Sequence, residues 1–169
     1  MAMSEGFHPK QRVSYVSALA LGFSSDDEAM EILLDREMPT GEILDSLAKA
    51  SVSGLEFTRA EILPLEGKKS AAVSFLYDVP IPGDLAGELA EKIEAFESAK
   101  TVPAVKANGK TVDLKPAVLS LAWADGVLRV RFAVQSGPEA SVRELLAYFG
   151  LDKELFRTIF PRRVQTALL

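Results

Sequence analysis

Val118-Leu-Ser-Leu-Ala-Trp123 and Val127-Leu-Arg-Val-Arg-Phe-Ala-Val-Gln135 flank the dipeptide Asp125-Gly126, and this stretch decides the kind of fold the chain can adopt. Both arms are rich in β-branched and aromatic residues, and Asp-Gly tolerates the positive φ angles of a type I′ turn, so the stretch reads as an antiparallel hairpin. Side chains alternate across a strand. Leu128, Val130, Phe132 and Val134 therefore share one face and Arg129 and Arg131 the other. Trp123 and Phe132 are assigned to the core, where their large apolar rings lose most contact with water.

Upstream, Ala71 to Val79 reads as a strand closed by Pro80-Ile81-Pro82-Gly83. Asp84 is expected to cap a helix in which Leu85, Leu89, Ile93 and Phe96 form the apolar stripe and Glu88, Glu91, Lys92 and Glu94 the wet side. Thr101 to Lys106 and Thr111 to Leu114 flank Asn108-Gly109 and predict a second hairpin with Lys106 and Lys110 at its tip. Asp113 is expected to form an exposed ion pair with the nearby Lys110 or Lys115. Downstream, Ser141-Val142-Arg143-Glu144 is a capping-box sequence that opens a helix with Val142, Leu145, Leu146 and Phe149 inward and Gly150 at its C′ position. A short helix is predicted after Asp152, and Arg162 and Arg163, which follow Phe160-Pro161, read as a solvated tail.

The N-terminal half repeats the alternation. Arg12 to Leu19 and Glu28 to Leu34 are predicted strands joined by a loop over residues 22–27. Thr40 is the expected N-cap of a helix over Gly41 to Lys49, with Ile43, Leu44 and Leu47 on one face. Leu55 to Leu63 alternates as a half-buried strand does, and Pro64-Leu65-Glu66-Gly67 closes the half. The whole reads as an α+β protein of two small lobes, residues 1–66 and 67–169, of ferredoxin-like α/β sandwich character, with mixed or antiparallel sheets and helices on one face.

A chain of 169 residues, 48% hydrophobic and 25% charged, can bury one core or two small ones. It has no cysteine and one histidine, which excludes disulfides, thiol catalysis and iron–sulfur ligation and leaves too few nitrogen ligands for a typical zinc site. No EF-hand loop, Walker loop, Gly-x-Gly-x-x-Gly or Gly-x-Ser-x-Gly is present, so neither a metal nor a nucleotide cofactor is expected. The apolar runs fall short of the roughly 20 residues that span a bilayer, and no signal-peptide pattern precedes them, so a cytoplasmic protein is expected. The net charge of −5 hides a division along the chain. Between Ser24 and Glu66 eleven acids face three bases, whereas between Lys100 and Arg131 six bases face two acids. Such a basic region can bind a polyanion through its local potential, although charges on amphipathic elements ordinarily form just a solvated face.

Ser4-Glu5-Gly6-Phe7-His8-Pro9-Lys10, followed by Arg12-Val13-Ser14-Tyr15, Ala18-Leu19 and Leu21-Gly22, resembles the central signature of an uncharacterised family of radical SAM-linked proteins, the domain of unknown function 2344. Lys106 to Pro116 and the helix Ser141 to Gly150 are similar to further features of that family, so the resemblance covers almost the whole chain. Gln11 and Ala20 depart from it where prolines are common. The resemblance implies a radical SAM protein as partner, and RNA as substrate, because enzymes of that class often modify RNA. It also implies a strand and a helix upstream of the signature, whereas this sequence starts almost at the motif. Residues 12–63 then match what is left of a β-α-β-β-α-β unit without its opening strand and helix. Such a remnant is expected to be completed by an associated protein or by a homodimer partner, or to re-pair into a different sheet, because unpaired strand edges are normally covered.

The signature loop has the composition of a ligand clamp. Gly6 permits close backbone approach, Pro9 stiffens the exit, and Ser4, His8, Lys10 and Arg12 supply hydrogen-bond donors. Phe7 either stacks on a base or plugs the core. Together with Lys106, Lys110, Arg129 and Arg131, these residues form the predicted RNA-binding set. The lone His8 has no carboxylate at a diagnostic spacing, so the chain alone is expected to be non-catalytic. The expected function is an accessory or substrate-binding module that presents structured transfer or ribosomal RNA to a radical SAM enzyme. One alternative is a protein-interaction module whose acidic half docks that enzyme without nucleic acid. A weaker one is a ferredoxin-like RNA-processing enzyme that uses His8.

Overall fold

A computed structural model describes residues 1–5, 7–65, 69–134, 140–151 and 158–169. The expected helix after Asp152, the end of the long hairpin at Gln135 and the loop glycine Gly6 lie outside the described residues. The described chain is α+β, with strands β1 (Val13–Tyr15), β2 (Ser24–Ser25), β3 (Met30–Ile32), β4 (Ala72–Pro80), β5 (Pro103–Val105), β6 (Thr111–Asp113), β7 (Val118–Ala124), β8 (Val127–Ala133) and β9 (Arg162–Leu168). Its helices are α1 (Thr40–Ala50), α2 (Ala86–Ser98) and α3 (Val142–Tyr148). Two compact units emerge, Met1–Ser14 with Met30–Lys69, and Tyr15–Ala29 with Ser70–Leu169. Residues 15–29 thus group with the C-terminal part of the chain.

The second unit is built on a five-stranded sheet of order β2-β9-β4-β8-β7. The β4–β8, β4–β9 and β7–β8 ladders are antiparallel, and β2 adds to β9 in parallel. Read along the chain, β4-α2-β7-β8-α3-β9 is a complete β-α-β-β-α-β unit, with the β5–β6 hairpin inserted after α2. The ferredoxin-like topology therefore resides in the C-terminal unit.

Registry explains which face became the core. Phe75, Tyr77 and Val79 on β4 lie directly opposite Phe132, Val130 and Leu128 on β8, so all six project to one side. Leu89 and Phe96 of α2 and Val142, Leu145 and Leu146 of α3 join that cluster, and Leu128, Val130, Leu145 and Leu146 have no exposed surface. At about 2–3 kcal/mol for each fully buried leucine, this face supplies the main driving force of the unit. Val134 lies past the end of β8 and is exposed rather than continuing the apolar face.

Local signals behave as their chemistry requires. Asp125 and Gly126 both take positive φ, 53° and 74°, as a type I′ turn demands. At the other hairpin only Gly109 does, at 80°, and the Asn108 side chain instead accepts a hydrogen bond from the Lys110 N–H at 3.1 Å. Glu144 reaches back to accept the Ser141 N–H at 2.7 Å, and Gly150 ends α3 at φ 80°.

Several expectations are corrected. Helix α1 begins at Thr40 itself, with Pro39 as its N-cap, because the fixed φ of proline suits the entry. Asp84 lies inside a 3-10 turn over Gly83–Leu85, which makes Leu85 the N-cap of α2. Among the described residues Asp113 forms no ion pair; it accepts the backbone N–H groups of Val102 (2.8 Å) and Lys115 (3.1 Å), bracing the hairpin. Leu55 to Leu63 is not a strand, since alternation without a neighbouring ladder leaves the backbone unpaired.

The largest correction concerns the C-terminus. Arg162 and Arg163 open β9, an interior strand of the sheet, and Arg163 is only 3% exposed. Its guanidinium lies 4.0 Å from the Phe75 ring centre, reaches the Tyr77 hydroxyl at 3.2 Å and pairs with Glu28 at 2.8 Å. Asp27 accepts the Thr166 N–H at 2.7 Å, and Asp26 stands 3.4 Å from Arg162. Three acids of the predicted acidic half thus hold β9 in place.

The first unit is different in kind. The short strands β1 and β3 form a two-stranded ladder, and the α1 face of Ile43, Leu44 and Leu47 is only half-buried. Among its described residues none is buried.

Candidate functional site

The signature loop in the first unit is a closed hairpin-like turn. Met3 bridges Gln11, the Ser4 N–H donates to the Lys10 carbonyl at 2.7 Å, and the Lys10 N–H donates to the Ser4 hydroxyl at 2.9 Å. Ser4 therefore acts as the clasp. With the base of the loop tied by these bonds, its tip is driven outward. Phe7 is 102% exposed, which excludes its role as a core plug, and His8, Lys10 and Arg12 are exposed as well. Among the described residues, neither Lys10 nor Arg12 makes an ion pair. An aromatic face with unpaired cations a few residues away can stack on a planar group and contact an anion.

The other four predicted residues lie in the second unit and divide into two places. Lys106 and Lys110 close the β5–β6 turn, where the Lys106 N–H donates to the Lys110 carbonyl at 2.8 Å. That hairpin packs against α3, and its Val112 and the adjoining Val102 and Leu114 enter the core. Arg129 and Arg131 project from β8 to the opposite face of the sheet. Hairpin and strand cations consequently do not form one continuous basic surface.

The outer face of the sheet has its own electrostatics. Arg129 grips Asp78 through two bonds, Nε to Oδ1 at 2.7 Å and Nη2 to Oδ2 at 2.6 Å. The Arg129 hydrogen bonds hold the Asp78 carboxyl below its ordinary value of 3.8 despite its burial, and they raise Arg129 in turn. Arg131 donates to Gln165 (2.8 Å) and Ser74 (3.3 Å), both neutral acceptors, and has no carboxylate partner among the described residues. Arg162 contributes a third arginine from β9, directly opposite Asp78. Sequence reasoning missed it, because β9 does not alternate apolar and polar residues. Among the described residues no three His, Asp or Glu side chains converge as a metal site would require.

Comparison with known proteins adds one finding. A family model described as "Uncharacterized protein conserved in bacteria (DUF2344)" matches residues 1–144. The chain belongs to the DUF2344 family. No curated protein and no solved structure matches it. The match spans the signature loop, the Arg129–Arg131 strand and the opening of α3, and stops before β9. In this DUF2344 chain the strand that holds Arg162 and Arg163 thus lies beyond the matched region while occupying the interior of the sheet.

Proposed function

We propose that this chain is an accessory module that binds structured RNA, transfer or ribosomal, for a radical SAM enzyme. The observation that carries the reading is Phe7, fully exposed at the tip of a tied loop whose neighbours Lys10 and Arg12 have no ion-pair partner among the described residues. Burial of a phenylalanine is worth about 2 kcal/mol, so an aromatic held wholly in water by its own loop is placed for a ligand rather than for folding. Unstacked bases dock on aromatic faces while nearby cations neutralise phosphates. The second unit supports the same reading by analogy of fold. Four-stranded sheets of this topology bind RNA on the face that their helices leave open, and here that face carries Arg129, Arg131 and Arg162. The radical SAM partner rests on the family resemblance. With no cysteine, this chain supplies none of the thiolates that an iron–sulfur cluster needs.

The test is binding of fluorescent transfer RNA and ribosomal RNA fragments at low and near-physiological salt, comparing the natural chain with Lys10→Glu/Arg12→Glu. Binding is expected to weaken steeply with salt, and the variant to lose affinity and flatten the salt slope by about one for each lost phosphate contact. Salt-insensitive association, or none, sinks the reading.

A second reading is favoured by a separate observation. The first unit exposes Val52, Leu55, Ile62, Leu63 and Leu65 and has no buried residue among those described, as a surface that docks a protein partner does. Co-purification with the radical SAM protein that persists at high salt, without RNA, would favour it.

A further inference from the structure

The strand registers line up Ser24, Arg162, Asp78 and Arg129 in one row across β2, β9, β4 and β8. Directly opposed residues project to the same side, so the row runs along the outer face. At its end Pro80 and Val127, also directly opposed, and Phe160 line a shallow cavity together with Ser24, Asp78 and Arg162. The cavity holds about 220 Å³, below the usual range for a drug-sized ligand and enough for one planar group.

Its chemistry is specific. Arg129 takes the facing lone pairs of both Asp78 oxygens, and the lone pairs that remain point apart, so the donors of a ligand converge on one oxygen. Arg162 is half exposed and only loosely paired with Asp26 at 3.4 Å, so its guanidinium can take another acceptor. Phe160 is 57% exposed and offers an aromatic surface beside the Pro80 ring. A fitting ligand is therefore flat and carries donors next to an acceptor on one edge. Guanine presents N1–H and its amino group beside O6. Adenine sets an acceptor, N1, beside its amino group, and uracil flanks a single N–H with two carbonyls, so either would turn an acceptor toward the carboxylate. The geometry points to a guanine-base subsite at this end of the sheet, with one Asp78 oxygen accepting from both N1–H and the amino group, Arg162 donating to O6, and Phe160 stacking.

This inference rests on the RNA-binding reading for the source of the base, while a free guanine nucleotide offers the same chemistry. The experiment compares an all-uridine oligonucleotide with the same strand carrying one central guanosine or adenosine, by fluorescence anisotropy. In parallel, GMP is titrated while the amide signals of Ser24, Val127 and Arg162 are followed by NMR. The guanosine strand is expected to bind about tenfold more tightly than the other two. Phe160→Ala and Asp78→Asn should abolish that preference, leaving all-uridine binding within about twofold. Should Asp78→Asn fail to fold, the exposed Phe160 and its Leu variant carry the test alone. Equal binding of all three strands overturns the subsite and leaves the RNA reading standing. GMP shifts at these amides with no RNA binding keep the subsite for a free nucleotide and overturn the RNA reading. Neither effect overturns both.

Discussion

The two units of this chain solve the same folding problem unequally. The unit built on β4, β8 and β9 places Leu128, Val130, Leu145 and Leu146 out of all contact with water, whereas none of the described residues of the unit containing α1 is buried. Size accounts for much of the difference, because a short segment encloses little volume for the surface it exposes. Topology accounts for the rest. A five-stranded sheet with two helices on one side has a place for every inward side chain, while two strands of three residues and one helix leave Ile43, Leu44 and Leu47 only half covered. One unit is stable through its own packing. The other presents surface, and its most exposed aromatic, Phe7, lies in the signature loop.

The strongest way to break this contrast is to remove β9. Ending the chain after Ile159 strips the strand between β2 and β4 and is expected to abolish cooperative thermal unfolding monitored by circular dichroism. A retained sharp transition would mean that the C-terminal segment is the solvated tail its arginines suggest. Next in size, Leu128→Ala should cost about 3–5 kcal/mol in denaturant unfolding. Leu47→Ala in α1 should cost under about 1 kcal/mol, because that site is already half wet. Equal losses would erase the distinction between the units.

Arg163→Ala is expected to cost about 3 kcal/mol, since it empties a space between Phe75 and Tyr77 and leaves Glu28 without its cation. A smaller destabilisation at neutral pH is expected from Arg129→Gln, because Arg129 itself is largely exposed although Asp78 is not. Its pH dependence has a definite sign. The carboxyl of Asp78 is lowered, so its stabilising contribution is complete above the ordinary value of 3.8 and is lost as pH falls through the lower folded value. The gap between wild type and Arg129→Gln, measured as the urea midpoint across acid pH, should narrow only in that acid range. Smallest of all, Phe7→Ala should leave stability within about 0.5 kcal/mol. A larger loss in denaturant unfolding would return Phe7 to a structural role.

Legibility in the sequence followed the strength of local signals. Asp125-Gly126, Gly109, the Ser141–Glu144 box and Gly150 each encode a conformation within a few residues, and each stands where its chemistry puts it. The stripe Leu85, Leu89, Ile93 and Phe96 was equally readable, because a helix repeats its face within the segment itself. The candidate site was legible only in part. Composition marked Phe7, Lys10 and Arg12, yet it could not separate Lys106 and Lys110 from Arg129 and Arg131, which lie on different sides of the same unit.

By itself, then, the sequence determined the α+β class, the two hairpins, the capped helix and the residue content of the signature loop, all of which depend on neighbours along the chain, while it left Phe7 between a stacking and a core role. Only the tertiary structure decided that Arg163 is an interior residue, that Asp26, Asp27 and Glu28 clamp β9, and that Ser24, Arg162, Asp78 and Arg129 form one row. Those relations join residues more than fifty positions apart. A buried arginine is intelligible only beside the rings and the carboxylate that compensate its desolvation, and no local pattern announces such distant partners.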